Sequence, residues 1–163
     1  MNRKIFINRS LPIVAGLIGI DAITANAGIT RSLQDAEPIK MSIVKEFVGA
    51  GHGNIARVKE MLANQPNLIY SRYDWGNGDF EEAIEGAGHL GNKEIAEFLI
   101  NEGARLNLFV MTMLGKTALV KPILEAYPNL IFAKGAHGFT LLHHAKKEEM
   151  PRWNCMNICC QKI

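Results

Sequence analysis

Gly53-Asn54-Ile55-Ala56-Arg57-Val58-Lys59-Glu60-Met61-Leu62 is the stretch that decides the fold, because the chain writes it two more times. It returns as Gly91-Asn92-Lys93-Glu94-Ile95-Ala96-Glu97-Phe98-Leu99-Ile100 and as Gly115-Lys116-Thr117-Ala118-Leu119-Val120-Lys121-Pro122-Ile123-Leu124. In each copy, apolar residues stand four or five and eight or nine places after the glycine. That spacing lays one apolar stripe along a helix and turns Lys and Glu to the opposite face. Gly53 and Gly91 are 38 residues apart, Gly91 and Gly115 only 24. A second landmark gives the same register. Pro66-Asn67-Leu68-Ile69-Tyr70 recurs as Pro128-Asn129-Leu130-Ile131-Phe132, displaced by 62 residues, the sum of the two glycine offsets.

Each unit reads as a helical pair, with the glycine separating its two helices through a backbone that tolerates positive φ. A lone pair cannot bury both of its apolar faces, so the pairs must stack and stabilise one another as neighbours.

Gly138-Phe139-Thr140-Leu141-Leu142-His143-His144-Ala145 resembles the ankyrin signature Gly-x-Thr-Pro-Leu-His-x-Ala, with Leu141 in place of the proline. Leu99-Ile100-Asn101-Glu102-Gly103-Ala104 resembles the end of an ankyrin second helix. The resemblance covers residues 43–148 and implies an all-α, ankyrin-repeat solenoid of about four helix-turn-helix units with short hairpin loops. It further implies that Thr140 caps a helix and that His143 bonds back to the preceding turn. A narrower group of bacterial ankyrin-repeat proteins has a Trp-Gly-x-Gly-Asp-aromatic-Glu loop, similar to Trp75-Gly76-Asn77-Gly78-Asp79-Phe80-Glu81 here. The same group has a short second unit similar to Gly103-Ala104-Arg105 through Phe109. The resemblance carries an architecture and no activity.

Two departures stand out. A 24-residue offset is too short for an ankyrin unit of about 33 residues, so the hairpin between the second and third pairs must be missing, leaving a notch in the row of fingers. The last unit lacks a readable second helix: Glu149 stands where the glycine belongs, and Pro151 follows. Residues 149–163 therefore form an atypical tail, with the character of a truncated repeat.

The 163 residues are 48% hydrophobic and 21% charged with net charge +2, an ordinary globular composition. Arg3, Lys4, Arg9 and Asp21 are the charged residues of the first 27, so the rest of the chain is neutral. A neutral body without a basic stripe argues against nucleic acid as a partner. Residues 1–27 have the layout of a signal peptide: Arg3 and Lys4, an apolar run from Leu11 to Ile20, and Ala25-Asn26-Ala27 before a new N-terminus at Gly28. Arg3-Lys4-Ile5-Phe6-Ile7 resembles the twin-arginine motif with Lys4 for the second arginine. The run is shorter than the roughly 20 residues a membrane span needs. The expectation is an exported, periplasmic or secreted protein without stable membrane insertion, with residues 28–42 as a linker; a cytoplasmic chain with an uncleaved tail is the alternative.

Candidate chemistry is sparse. Cys155, Cys159 and Cys160 crowd the tail in a spacing unlike the paired Cys-x-x-Cys of zinc sites, and an exposed tail is the default reading. His143 and His144 point to different helix faces, which disfavours a chelate. His52 and His89 precede the helix-breaking glycines and are read as carbonyl caps. Asp74, Asp79, Glu81 and Glu82 read as a solvated hairpin loop around Trp75, which is either a partner contact or a structural packing residue. Gly76 and Gly78 make no phosphate loop. Phe109, Met111, Met113 and Leu114 are mostly core, with one or two exposed in the notch. The expectation is a non-catalytic, monomeric module that binds a protein through its concave face and hairpins, with no metal and no cofactor. The candidate contacts are Asp74, Trp75, Asn77, Asp79, Phe80, Glu81, Phe109, Met113, Lys134, His137 and Phe139. Alternatives are a metal-binding or enzymatic stress protein using His143, His144 and the cysteine tail, and a degenerate repeat protein without specific binding.

Overall fold

A computed structural model describes residues 37–147. The segments expected as leader (1–27) and tail (149–163) and most of the expected linker (28–42) lie outside the described residues, and so do Cys155, Cys159 and Cys160.

The glycine-anchored repeats are helices, as their periodicity requires. α1 (Met41–Ala50) is followed by α2 (Ile55–Asn64), α3 (Ala83–Leu90) by α4 (Lys93–Asn101), and α5 (Leu108–Met113) by α6 (Thr117–Ala126), with α7 (Leu141–Ala145) last. Polar residues at the helix starts do much of the work. Asn54, Asn92 and Asn107 each accept a hydrogen bond on the side chain from the backbone N–H three residues on, and Thr140 does the same for α7. Each such cap satisfies a donor that the helix itself leaves unpaired. Gly91 (φ 80°) and Gly115 (φ 66°) take the expected left-handed backbone, whereas Gly53 does not. The turn after α1 uses Gly51 for close approach instead: a Cβ there would lie 2.3 Å from the Ala83 carbonyl oxygen.

The stripes become the core. Phe47, Val48, Val58, Leu68, Ile84, Ile95, Leu99, Val110 and Met113 are buried in one cluster; Val120, Leu124, Ile131, Leu141 and Ala145 form another. α1, α3, α5 and α7 pack in succession, and α2, α4 and α6 each lie against the first helix of their own pair. Helix is the dominant structure, and the only paired strands among the described residues are a hairpin of β1 (Arg72–Asp74) and β2 (Phe80–Glu82), with an isolated bridge between Lys134 and Thr140. Between α4 and α5 the chain turns at residues 102–103 and continues through 104–107 without a strand, so the hairpin is missing there as the spacing requires. No helix among the described residues is long and apolar enough to cross a membrane.

One contact departs from a linear repeat stack, in which a unit touches only its neighbours. α7 packs on α3 as well as on α5, and His143 Nε2–H donates to the His89 carbonyl at 2.8 Å. α5 has only six residues and no hairpin stands before it, so nothing holds the last unit away from the second. The final hairpin, around Ala136–Gly138, is thereby brought against the first.

Candidate metal centre

The first hairpin sets the geometry. Gly76, Asn77 and Gly78 all have positive φ (120°, 57° and 80°), a tip that only Gly and Asn enter cheaply. Asp74 Oδ1 accepts the Gly76 N–H at 2.8 Å, and the register pairs Tyr73 with Glu81 and Asp74 with Phe80. Strand alternation then turns neighbouring side chains to opposite sides. Phe80 is 50% exposed while Glu81 is 0% exposed. The acidic loop is therefore not uniformly solvated: Glu81 faces the histidines, Glu82 is buried beside Arg72 and Arg105, and burial together with the nearby Glu85 charge raises the Glu82 pKa above its ordinary value.

Three imidazoles surround the buried Glu81 carboxylate. His89 Nε2, from the last turn of α3, lies 2.9 Å from Oε1; His52 Nε2, from the turn after α1, lies 3.4 Å from Oε1. His137 Nε2, from the final hairpin, lies 3.4 Å from Oε2, and the Trp75 indole N–H donates to Oε2 at 2.7 Å. One ligand atom from each of His52, Glu81, His89 and His137 lies within 4.8 Å of the others.

Hydrogen-bond partners decide what these rings can do. His52 Nδ1 is 3.2 Å from the Val48 carbonyl, which only accepts, so the proton sits on Nδ1. His137 Nδ1 is 2.7 Å from Asp79 Oδ2, again an acceptor, so the same holds there. In their neutral forms both rings therefore aim an Nε2 lone pair at a carboxylate, an arrangement that a proton or a metal cation between ring and carboxylate relieves. The 3.4 Å separations are long for a hydrogen bond of about 2.7–3.2 Å. The His52 Nε2–Oε1 separation equals the roughly 3.3–3.4 Å between ligands bound at about 2.0–2.1 Å to one tetrahedral ion, while His137 Nε2 stands equally far from the other oxygen, Oε2, and His89 Nε2 lies closer, 2.9 Å from Oε1. His89 differs: its Nε2 is 2.9 Å from Glu81 Oε1 and its Nδ1 is buried without a partner, so no second acceptor fixes this ring as Val48 and Asp79 fix the other two.

A second layer steadies the first. Asp79 accepts the His137 backbone N–H at 2.8 Å and its Nδ1–H at 2.7 Å, and these two bonds hold the Asp79 pKa below the ordinary carboxylate value. The same bonds hold His137 at φ 56°, a left-handed backbone that a non-glycine residue enters at some cost. Carboxylate–histidine pairs of this kind orient metal ligands and raise their basicity. Trp75 engages Glu81 Oε2, which leaves Oε1 for an ion. The floor of the cluster, Glu81 and His89, is buried, whereas the His52 and His137 side chains are 27% and 29% exposed and open it to solvent. Three imidazoles with one carboxylate suit zinc and other borderline divalent transition ions, and suit poorly the all-oxygen shells of calcium or magnesium.

The candidate contacts divide accordingly. Asp74, Asn77, Phe80 and Lys134 are exposed, and Trp75 is 38% exposed. Glu81 and Met113 are fully buried, so neither can touch a partner: strand alternation turns Glu81 inward, and Met113 lies in the core on α5. Asp79 and His137 are engaged with each other across 58 residues. Phe109 is half-buried on His144, with ring centres 5.2 Å apart, and Phe139 stacks on His143 at 4.1 Å. His52 caps a carbonyl as expected, but His89 does not. His143 and His144 use Nε2 and Nδ1 on the His89 and Thr140 carbonyls and do not join the cluster. Sequence reasoning missed the convergence of His52, His89 and His137. The available signal was their shared position one or two residues before Gly53, Gly91 and Gly138.

No protein-family model, curated protein or solved structure matches the chain.

Proposed function

We propose that this protein binds one divalent transition-metal ion of the zinc class through His52, Glu81, His89 and His137, on an ankyrin-type stack of helical pairs. The observation that carries the reading is the convergence of the His52, His89 and His137 Nε2 atoms on one buried carboxylate, with the Nδ1 atoms of His52 and His137 engaged by Val48 and Asp79. Glu81 supplies the negative charge, Trp75 fixes which oxygen is free, and Asp79 orients His137. A partner-binding role for the fingers remains a second reading, favoured by the exposed Phe80 and Trp75 on the same hairpin that carries Glu81. Export after Ala27 is proposed on the leader's residues alone.

The test is calorimetric titration of the full chain with zinc. One ion per chain is expected, retained when Cys155, Cys159 and Cys160 are changed to Ser and lost in the His52→Gln/His89→Gln double variant. Absence of stoichiometric binding, or binding that follows the cysteines and ignores the histidines, overturns the proposal.

A further inference from the structure

We infer that the ion acts as a clasp: it fastens the last unit, residues 134–147, onto the second, so that metal supply decides whether the stack is closed. The inference rests on the metal reading above and adds to it what binding does.

The ligands come from separate parts of the stack. His52 belongs to the first pair, Glu81 and His89 to the hairpin and first helix of the second, and His137 to the final hairpin, 85 residues after His52. The described part of the last unit is small. Among the described residues it has one helix of five residues, α7, and a single bridge, Lys134 to Thr140. It has no second helix there to cover its outer face, the part that a terminal repeat normally supplies. Leu141 and Ala145 bury against the neighbouring helices, and His143 bonds to the His89 carbonyl. The rings of Phe139 and His144 also pack on His89 and Phe109, and the polar ties of the hairpin run through His137. Its two bonds to Asp79 lie between partly exposed groups, and pairs in that setting contribute little.

An ion at this centre changes the balance. If the last unit lifts away, His137 leaves and the ion loses one of four ligands, while Asp79 loses the residue it orients. Binding is then linked to closure, because the closed form has the higher affinity. The consequence reaches the surface. Trp75 and Phe80 on the first finger and Lys134 and Phe139 on the last stand together only when the two hairpins are clasped, so the ion governs whether they form one face or two.

Hydrogen exchange of the full chain, with and without zinc at about a hundred times its Kd, tests this. Amides of residues 134–147, including those of Gly135, His144 and Lys147, should exchange at least about 10-fold more slowly with zinc, approaching about 100-fold if the open form binds none. Peptides from α2 and α4 should change by less than about 2-fold. In His52→Gln the slowing of residues 134–147 should disappear, although the substituted residue lies 85 positions away. His137→Asn, which tolerates the left-handed backbone, should behave alike. Stoichiometric zinc binding with no change in residues 134–147 refutes the clasp and leaves the metal reading intact. Absence of zinc binding refutes both.

Discussion

Gly86→Ala separates the metal centre from the fold that carries it. Gly86 lies inside α3, where alanine should favour the helix by about 0.5–1 kcal/mol. A Cβ on Gly86 would stand 2.9 Å from both His52 Cε1 and His52 Nδ1, whereas ordinary contacts begin at 3.4 Å. The neighbour is a side chain at the cluster's solvent side, so it can yield, and it must yield by about 0.5 Å. Metal–ligand distances tolerate about 0.2 Å. The expected result is a zinc affinity lower by about 10–100-fold, or about 1.4–2.7 kcal/mol, with metal-free stability unchanged or raised. Zinc competition titration and urea unfolding of the metal-free protein measure the two quantities. Gly49→Ala is the control: nothing lies within 4 Å of its added Cβ, so it should stabilise α1 and leave zinc affinity alone. Wild-type zinc affinity in Gly86→Ala would remove His52 from the ligand set. A loss of several kcal/mol in the metal-free protein would show that Gly86 serves packing instead.

Trp75→Phe keeps a ring and deletes the indole N–H on Glu81 Oε2, so zinc affinity should fall by about 10–100-fold; an unchanged Kd would end the assignment of Trp75 as a positioning residue. His144 is buried and its pKa is pushed down to about 4 from 6.5, chiefly by burial. The unfolded chain therefore binds the proton first, and metal-free stability should fall between about pH 6.5 and 4, by on the order of 3 kcal/mol from this group. Urea unfolding across that window should lose this part of the slope in His144→Gln, and a slope equal to wild type would contradict the assignment. Met113→Ala should cost about 2–5 kcal/mol, because Met113 is fully buried, while Phe80→Ala should stay within about 0.5 kcal/mol. Thermal unfolding that reversed this order would overturn the division between core and finger.

What the sequence made legible was local. The stripe after each glycine marked α2, α4 and α6, and the 24-residue offset between Gly91 and Gly115 revealed the missing hairpin, because both depend only on spacing along the chain. The threonine cap of α7 was legible for the same reason. The inward turn of Glu81 was not, since it depends on the register that the Gly76-Asn77-Gly78 tip imposes on a strand of three residues. The cluster was hidden differently. His52 has a sound local reading as a cap, and it does cap Val48; only the return of α7 onto α3 carries His137 to it. That return follows from the shortness of α5 and has no residue pattern of its own. His143, the histidine most prominent in the sequence, turned out to hold α7 to α3 through the His89 carbonyl.

X-ray absorption of the full chain loaded with one equivalent of zinc shows whether imidazole and carboxylate groups of the folded stack hold the ion. Four nitrogen or oxygen neighbours at about 2.0–2.1 Å, with the outer scattering of three imidazole rings, are expected. Sulfur scatterers at about 2.3 Å would assign the ion to Cys155, Cys159 and Cys160 and contradict the proposed site.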